Sequence, residues 1–69
     1  MKLSARNVLS GVIRKIDLGA VNGEVTIEVA PGVTIVSIIT MDAVRSLGLK
    51  EGRNAYAVIK ASSVMVGVD

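Results

Sequence analysis

Three short segments carry the donors from which an anion site could be built. Ser4-Ala5-Arg6-Asn7 offers a hydroxyl, a guanidinium and an amide just ahead of an apolar run. Thr40-Met41-Asp42-Ala43 combines a hydroxyl with the free backbone N–H groups of a helix start. Lys60-Ala61-Ser62-Ser63 sets an ammonium beside two hydroxyls at the end of another apolar run. Arg can grip an oxyanion with two parallel N–H bonds, whereas Lys acts as a point charge. Taken singly, each segment has a plainer structural reading that carries more weight: a polar N-terminal edge, a capped helix and a solvated connection. Asp42 opposes an anion on its own side of the helix turn. Taken together, the three supply enough donors for a small dianion, provided that the fold or neighbouring copies of the chain converge them.

Other chemistry finds little to work with. Glu24 and Glu28 fall on one face of a strand with Thr26 between them, and nothing converges on them, so they read as a solvated face. A Ser-Lys dyad of Lys60 with Ser62 or Ser63 has no diagnostic spacing. The glycines form neither a phosphate-binding loop nor a dinucleotide fingerprint. Met1, Met41 and Met65 lack the spacing of a copper motif. The chain has no His and no Cys. That removes Ser-His and Cys-His nucleophile pairs, the common haem and iron–sulfur ligands, and the usual ligands of zinc and copper. The expectation is therefore a protein that binds, not an enzyme, with no cofactor and no metal cation.

Composition sets the scale of what can be built. The chain has 69 residues and is 51% hydrophobic, with one aromatic residue, Tyr56, and no disulfide available to it. Its mean hydropathy is +0.60. One small domain, residues 1–69, fits this length. A domain of this size buries a limited share of its surface, so so much Val, Ile, Leu and Ala predicts a homo-oligomer. The formal charge of +2 permits an anionic partner without demanding a polyanion. With one Tyr there are no stacking platforms for single-stranded nucleic acid. The run from Val33 to Ile39 is broken by Thr34 and Ser37 and falls far short of the roughly 20 residues of a membrane span. The N-terminus lacks the apolar stretch of an export signal. The expectation is a soluble, cytoplasmic protein with no membrane or nucleic-acid partner.

The elements that must position the donors follow from periodicity. Asn7 to Ile16 reads as a long strand, bending at Gly11. Leu18 to Gly23 is a turn, with Asn22-Gly23 its strongest signal. Glu24 to Val29 alternates polar and apolar, the mark of a half-buried strand. Pro31-Gly32 turns into Val33 to Ile39, which is nearly all apolar and so expected to be buried on both faces, the outer one against another subunit. Thr40 to Leu47 is a short helix with Thr40 as N-cap, Val44 and Leu47 on one face and Gly48 just past its end. Asn54 to Ile59 and Ser63 to Val68 complete five strands. An all-β, five-stranded OB-like barrel with one short helix between strands 3 and 4 has this order, and an SH3-like barrel is the nearest competitor.

Several of these residues also carry a resemblance. Ser4-Ala5-Arg6-Asn7, Leu9-Ser10-Gly11, Gly19-Ala20-Val21-Asn22, Ile39-Thr40, Leu47-Gly48-Leu49 and Ala57-Val58-Ile59-Lys60-Ala61-Ser62-Ser63-Val64-Met65 resemble the molbindins. These are Mop-type molybdate-binding proteins of the Mop/TOBE-like family, whose domain also occurs in molybdate-responsive regulators and transporter ATPases. The resemblance implies an OB-like barrel assembled as a hexamer, a trimer of dimers, with molybdate or tungstate held between subunits. Carried over by position, it sets Ser4 and Arg6 of one subunit against Thr40, Ala43, Lys60 and Ala61 of another. Thr40 gives its hydroxyl, Ala43 and Ala61 their backbone N–H groups, and Arg6 and Lys60 the charge. Related regulators have a Ser at the position of Ala43, so that hydroxyl is missing here. Asn7 and Ser62 are candidates for a second oxyanion site. The function expected is intracellular storage or buffering of the oxyanion. The alternatives are a ligand-responsive regulatory or interaction module and an OB-type nucleic-acid binder.

Overall fold

In a computed structural model describing residues Met1–Asp69, the alternation of the second strand sets the whole architecture. Strand β2 (Asn22–Ala30) turns Val25 and Ile27 inward and leaves Glu24 in solvent. It lies at the middle of a four-stranded antiparallel sheet ordered β3-β2-β1-β4, with β1 spanning Asn7–Leu18, β3 Val33–Thr40 and β4 Asn54–Ile59. β1 is long because it serves two partners. Its second half pairs with β2, and its first half, Asn7 to Val12, pairs with β4. Helix α1 (Met41–Ser46) sits between β3 and β4 in sequence and rests Val44 on the sheet. The core is Ile13, Val25, Ile27, Val44 and Ala57. The architecture is all-β, a half-barrel of four strands plus one helix. No helix is long and apolar enough to cross a membrane.

The helix is closed as its sequence predicts. Thr40 caps it, its Oγ1 accepting the Ala43 N–H at 3.1 Å. At the far end Gly48 adopts φ +63°, the left-handed turn that a side chain would resist. The Gly48 N–H then donates to the Arg45 carbonyl and the Leu49 N–H to that of Val44, satisfying groups that the helix cannot satisfy itself. Arg53 adds Nη1 bonds to the carbonyls of Leu47 and Gly48 at 2.9 and 2.7 Å. Leu47 does not share the buried face of Val44, because it is the capping residue and is exposed.

Three expectations are corrected. First, the turn is Gly19 to Val21, and Asn22 and Gly23 already belong to β2. Gly23 is a packing glycine: a Cβ there would come 3.0 Å from Val44 Cγ2, so its bareness lets α1 settle on the sheet. Second, the irregularity in β1 falls between Ile13 and Lys15, leaving Arg14 as the bulged residue, not at Gly11. Gly11 is small because β2 crosses close to it; a Cβ would press on the Glu28 carbonyl and lie 2.8 Å from Ile27 Cγ2. Third, no fifth strand forms over Ser63–Val68. Ala61–Ser63 is a single 3₁₀ turn, and the chain beyond it has no regular structure. Alternating valines fix which side chains share a face, but a strand also requires an edge to pair with, and this segment meets none within its own chain.

β3 departs from its expected double burial in the same way. Ile35, Ser37 and Ile39 are half-buried, while Val36 and Ile38 on the other face are 55% and 67% exposed. Only 6 of the 69 residues are buried, so most of the aliphatic content lies at or near the surface of a single chain.

Candidate functional site

The pairing of β1 with β4 brings two of the three donor segments together. Asn7 stands opposite Ile59 and its Nδ2 donates to the Ile59 carbonyl at 3.4 Å. Arg6 and Lys60 are the residues next to this last pair, one just before β1 and one just after β4. Both are exposed, and the chain's ion pairs use Arg14, Lys15 and Arg45 instead. Two cations flanking the same strand pair repel, and an anion between them relieves that repulsion. Lys60 is also the N-cap of the 3₁₀ turn Ala61–Ser63. Its carbonyl accepts the Ser63 N–H at 2.9 Å, which leaves the amides of Ala61 and Ser62 at the open start of the turn. Ser4 lies exposed two residues before Arg6. The Asn7–Ile59 pair thus brings the segment Ser4–Asn7 and the segment Lys60–Ser62 to the same end of the sheet.

Thr40 and Ala43 lie elsewhere. Thr40 pairs with Asn22 at the end of β3, and the Met41 N–H donates to the Val21 carbonyl, so this corner adjoins the β1–β2 turn. Asn7 and Leu18 are the two ends of the 12-residue strand β1. At about 3.3 Å per residue the two donor groups are separated by roughly 35 Å of strand. The two groups therefore stand at opposite ends of β1.

The Thr40 corner is a hollow of about 270 Å³ lined by Val21, Thr40, Met41, Asp42 and Arg45 among others. Its electrostatics are mixed. Arg45 Nη1 lies 3.6 Å from the Asp42 carboxylate, which partly neutralises both. The Ala43 N–H, expected as a ligand donor, is engaged by Thr40 Oγ1, so it is free for an anion only when the cap opens. The Thr40 hydroxyl hydrogen has no such restriction, since Oγ1 acts as the acceptor in that bond. Arg45 is the one cation lining this hollow, and sequence reasoning passed over it. The available signal was its place on the helix, one turn beyond Asp42 and near Thr40.

The carboxylates take structural places. Glu28 pairs with Arg14 at 3.1 Å. Glu24 stands opposite Asp17, which pairs with Lys15 at 3.3 Å. No group of three or more acidic, His or Cys side chains is placed to hold a metal ion.

Similarity to known proteins follows the whole chain. The family model of the TOBE domain matches residues 3–66. A probable molybdenum-pterin-binding protein of Haemophilus influenzae is 48% identical over 69 residues, covering 100% of both chains. The solved structure of MopII from Clostridium pasteurianum superimposes with a TM-score of 0.91 at 43% identity, covering 97% of this chain and 100% of that one. The cytoplasmic molybdate-binding protein ModG, solved with molybdate bound, superimposes with a TM-score of 0.94 at 52% identity; this chain spans 49% of it.

Proposed function

Since the chain belongs to the TOBE-domain family and is similar along its length to Mop-type molybdenum-pterin-binding proteins, we propose that it binds molybdate or tungstate between the subunits of a homo-oligomer. The observation that carries this reading is the pairing of Asn7 with Ile59, which brings the chain ends that carry Arg6 and Lys60 to the same end of the sheet, beside the open amides of Ala61 and Ser62. The separation of this cluster from Thr40 and Ala43 by the length of β1 supports the subunit interface as the place where both meet.

The site consists of donors. Arg6 and Lys60 bring charge, Ser4 and Thr40 hydroxyls, Ala61 a backbone N–H, and Ala43 a second one once the Thr40 cap bond is exchanged for the anion. Asn7 and Ser62 adjoin the cluster and would serve a second oxyanion. Molybdate and tungstate are unprotonated dianions at neutral pH, so they can accept from every donor. A protonated phosphate would point its own O–H at a donor, and each unmet hydrogen bond in a dry site costs about 1–3 kcal/mol. Sulfate shares the charge and shape, so cavity size must exclude it. Binding without catalysis suits storage or buffering of the oxyanion. A hexamer built as a trimer of dimers would repeat the interface and give the exposed aliphatic surface a partner. A cytoplasmic setting agrees with the description of ModG.

Calorimetric titration with molybdate tests the assignment. Arg6→Ala and Lys60→Ala are each expected to lose several-fold to a hundredfold in affinity, at about 1–3 kcal/mol per lost bond, with unchanged circular dichroism. Wild-type affinity in both variants would refute the site.

A further inference from the structure

The arginines of the chain differ in what holds them. Arg14 donates to the Glu28 carboxylate at 3.1 Å. Arg53 is committed to the carbonyls of Leu47 and Gly48 at 2.9 and 2.7 Å. Arg6 belongs to the cluster beside Lys60. Arg45 is held only by Asp42, three residues back on α1, with Nη1 3.6 Å from the carboxylate. That is an ion pair without a hydrogen bond, and the two side chains are 71% and 96% exposed. Such a pair is worth little in water and opens at little cost.

Arg45 and Asp42 both line the hollow of about 270 Å³ that Thr40 also lines. Against about 30 Å³ for a water, that is room for the four oxygens of a tetrahedral anion. Ala20, Val21 and Met41 bound it with apolar groups, so few polar side chains compete for what enters. The Ala43 N–H is already engaged by Thr40 Oγ1. The side-chain donors left open to an entering group are the Thr40 hydroxyl and the Arg45 guanidinium, and the acceptor facing them is the Asp42 carboxylate.

We propose that Arg45 is a further ligand of the oxyanion, on the Thr40 side of the site, and that Asp42 holds its affinity down by competing for the same guanidinium. The proposal rests on the reading of the chain as an oxyanion binder and adds to it a residue and a brake. A dianion attracts a cation more strongly than a single carboxylate does, and the guanidinium can give it two parallel N–H bonds. Arg45 therefore turns from Asp42 to the anion as the anion enters. Asp42 is left unpaired beside a like charge, and the repulsion opposes binding. The two side chains thus act in opposite directions on the same equilibrium.

Calorimetric titration with molybdate tests both directions. Arg45→Gln is expected to weaken binding about tenfold or more, the scale of a lost charged hydrogen bond. Asp42→Asn is expected to tighten it several-fold. Lys50→Gln, which removes an exposed charge away from the hollow, is the control and should match wild type. The double variant, Asp42→Asn with Arg45→Gln, separates a ligand from a mere neutraliser of Asp42. A ligand leaves the double variant well below wild-type affinity, whereas a neutraliser leaves it equal to wild type and overturns the proposal. A loss in Arg45→Gln no larger than in Lys50→Gln would overturn it too, and unchanged or weaker binding by Asp42→Asn would overturn the competition. Circular dichroism and native mass are expected to stay the same in every variant. A smaller assembly in Arg45→Gln would make Arg45 an assembly contact and contradict its role as a ligand. Arg6→Ala in the same titration keeps the two readings apart. If Arg6→Ala loses affinity while Arg45→Gln keeps it, the role of Arg45 alone fails. A wild type that takes up no molybdate refutes the oxyanion reading and this proposal with it.

Discussion

The region around Ile13 and the region around Ile38 are made of the same kinds of side chain and fare oppositely. Ile13 sits where β1, β2 and α1 meet and has no exposure at all, packed with Val25, Ile27 and Val44. Ile38 stands on the outer face of the edge strand β3 and is 67% exposed, in company with Val36. The first region is complete within one chain. The second has the composition of a core and the position of a surface. The difference teaches that similar hydropathy in this chain closes a core in one place and lines a surface in another, and that sequence position alone does not separate the two.

The largest effect should come from breaking the first region. Ile13→Ala removes three carbons from a fully buried site and is expected to cost about 2–5 kcal/mol. For a domain of this size that is a large part of the total stability. Urea or thermal unfolding should show the loss at every protein concentration. A cost under about 1 kcal/mol would mean that the core of the single chain is less complete than described.

The smaller effect belongs to the second region and has a different signature. Ile38→Ser should change the stability of the isolated chain by no more than about 0.5 kcal/mol. The melting temperature of the wild type should rise with protein concentration, because association stabilises the folded chain by mass action. In Ile38→Ser that slope should flatten. An equal slope in both proteins would show that the outer face of β3 takes no part in assembly.

Much of this arrangement was legible in the sequence wherever the signal is local. The alternation of Glu24 to Val29, the Pro31-Gly32 turn, the Thr40 cap and the Gly48 stop each depend on neighbours within a few residues. What was not legible depends on distant partners. Gly23 looks like a turn residue until Val44 is seen resting on it. Gly11 suggests a bend, yet its smallness answers to the passage of β2, and the bulge falls at Arg14. The valines of the tail promise a strand, but pairing is a property of two segments. The candidate site shows the same division. The types of the donors at Ser4, Arg6, Thr40, Lys60 and Ala61 are read directly from the chain. Their separation into two groups, the occupation of the Ala43 N–H by Thr40, and the presence of Arg45 and Asp42 in the Thr40 hollow come from the fold.

The central claim is that a divided set of oxyanion donors on one chain is completed by other copies. Native mass spectrometry of the wild-type chain, with molybdate, tungstate and sulfate added in turn, tests it most directly. The account predicts an assembly of several copies that takes up molybdate or tungstate, and not sulfate, as intact dianions. A chain that stays monomeric and takes up none of the three would contradict it.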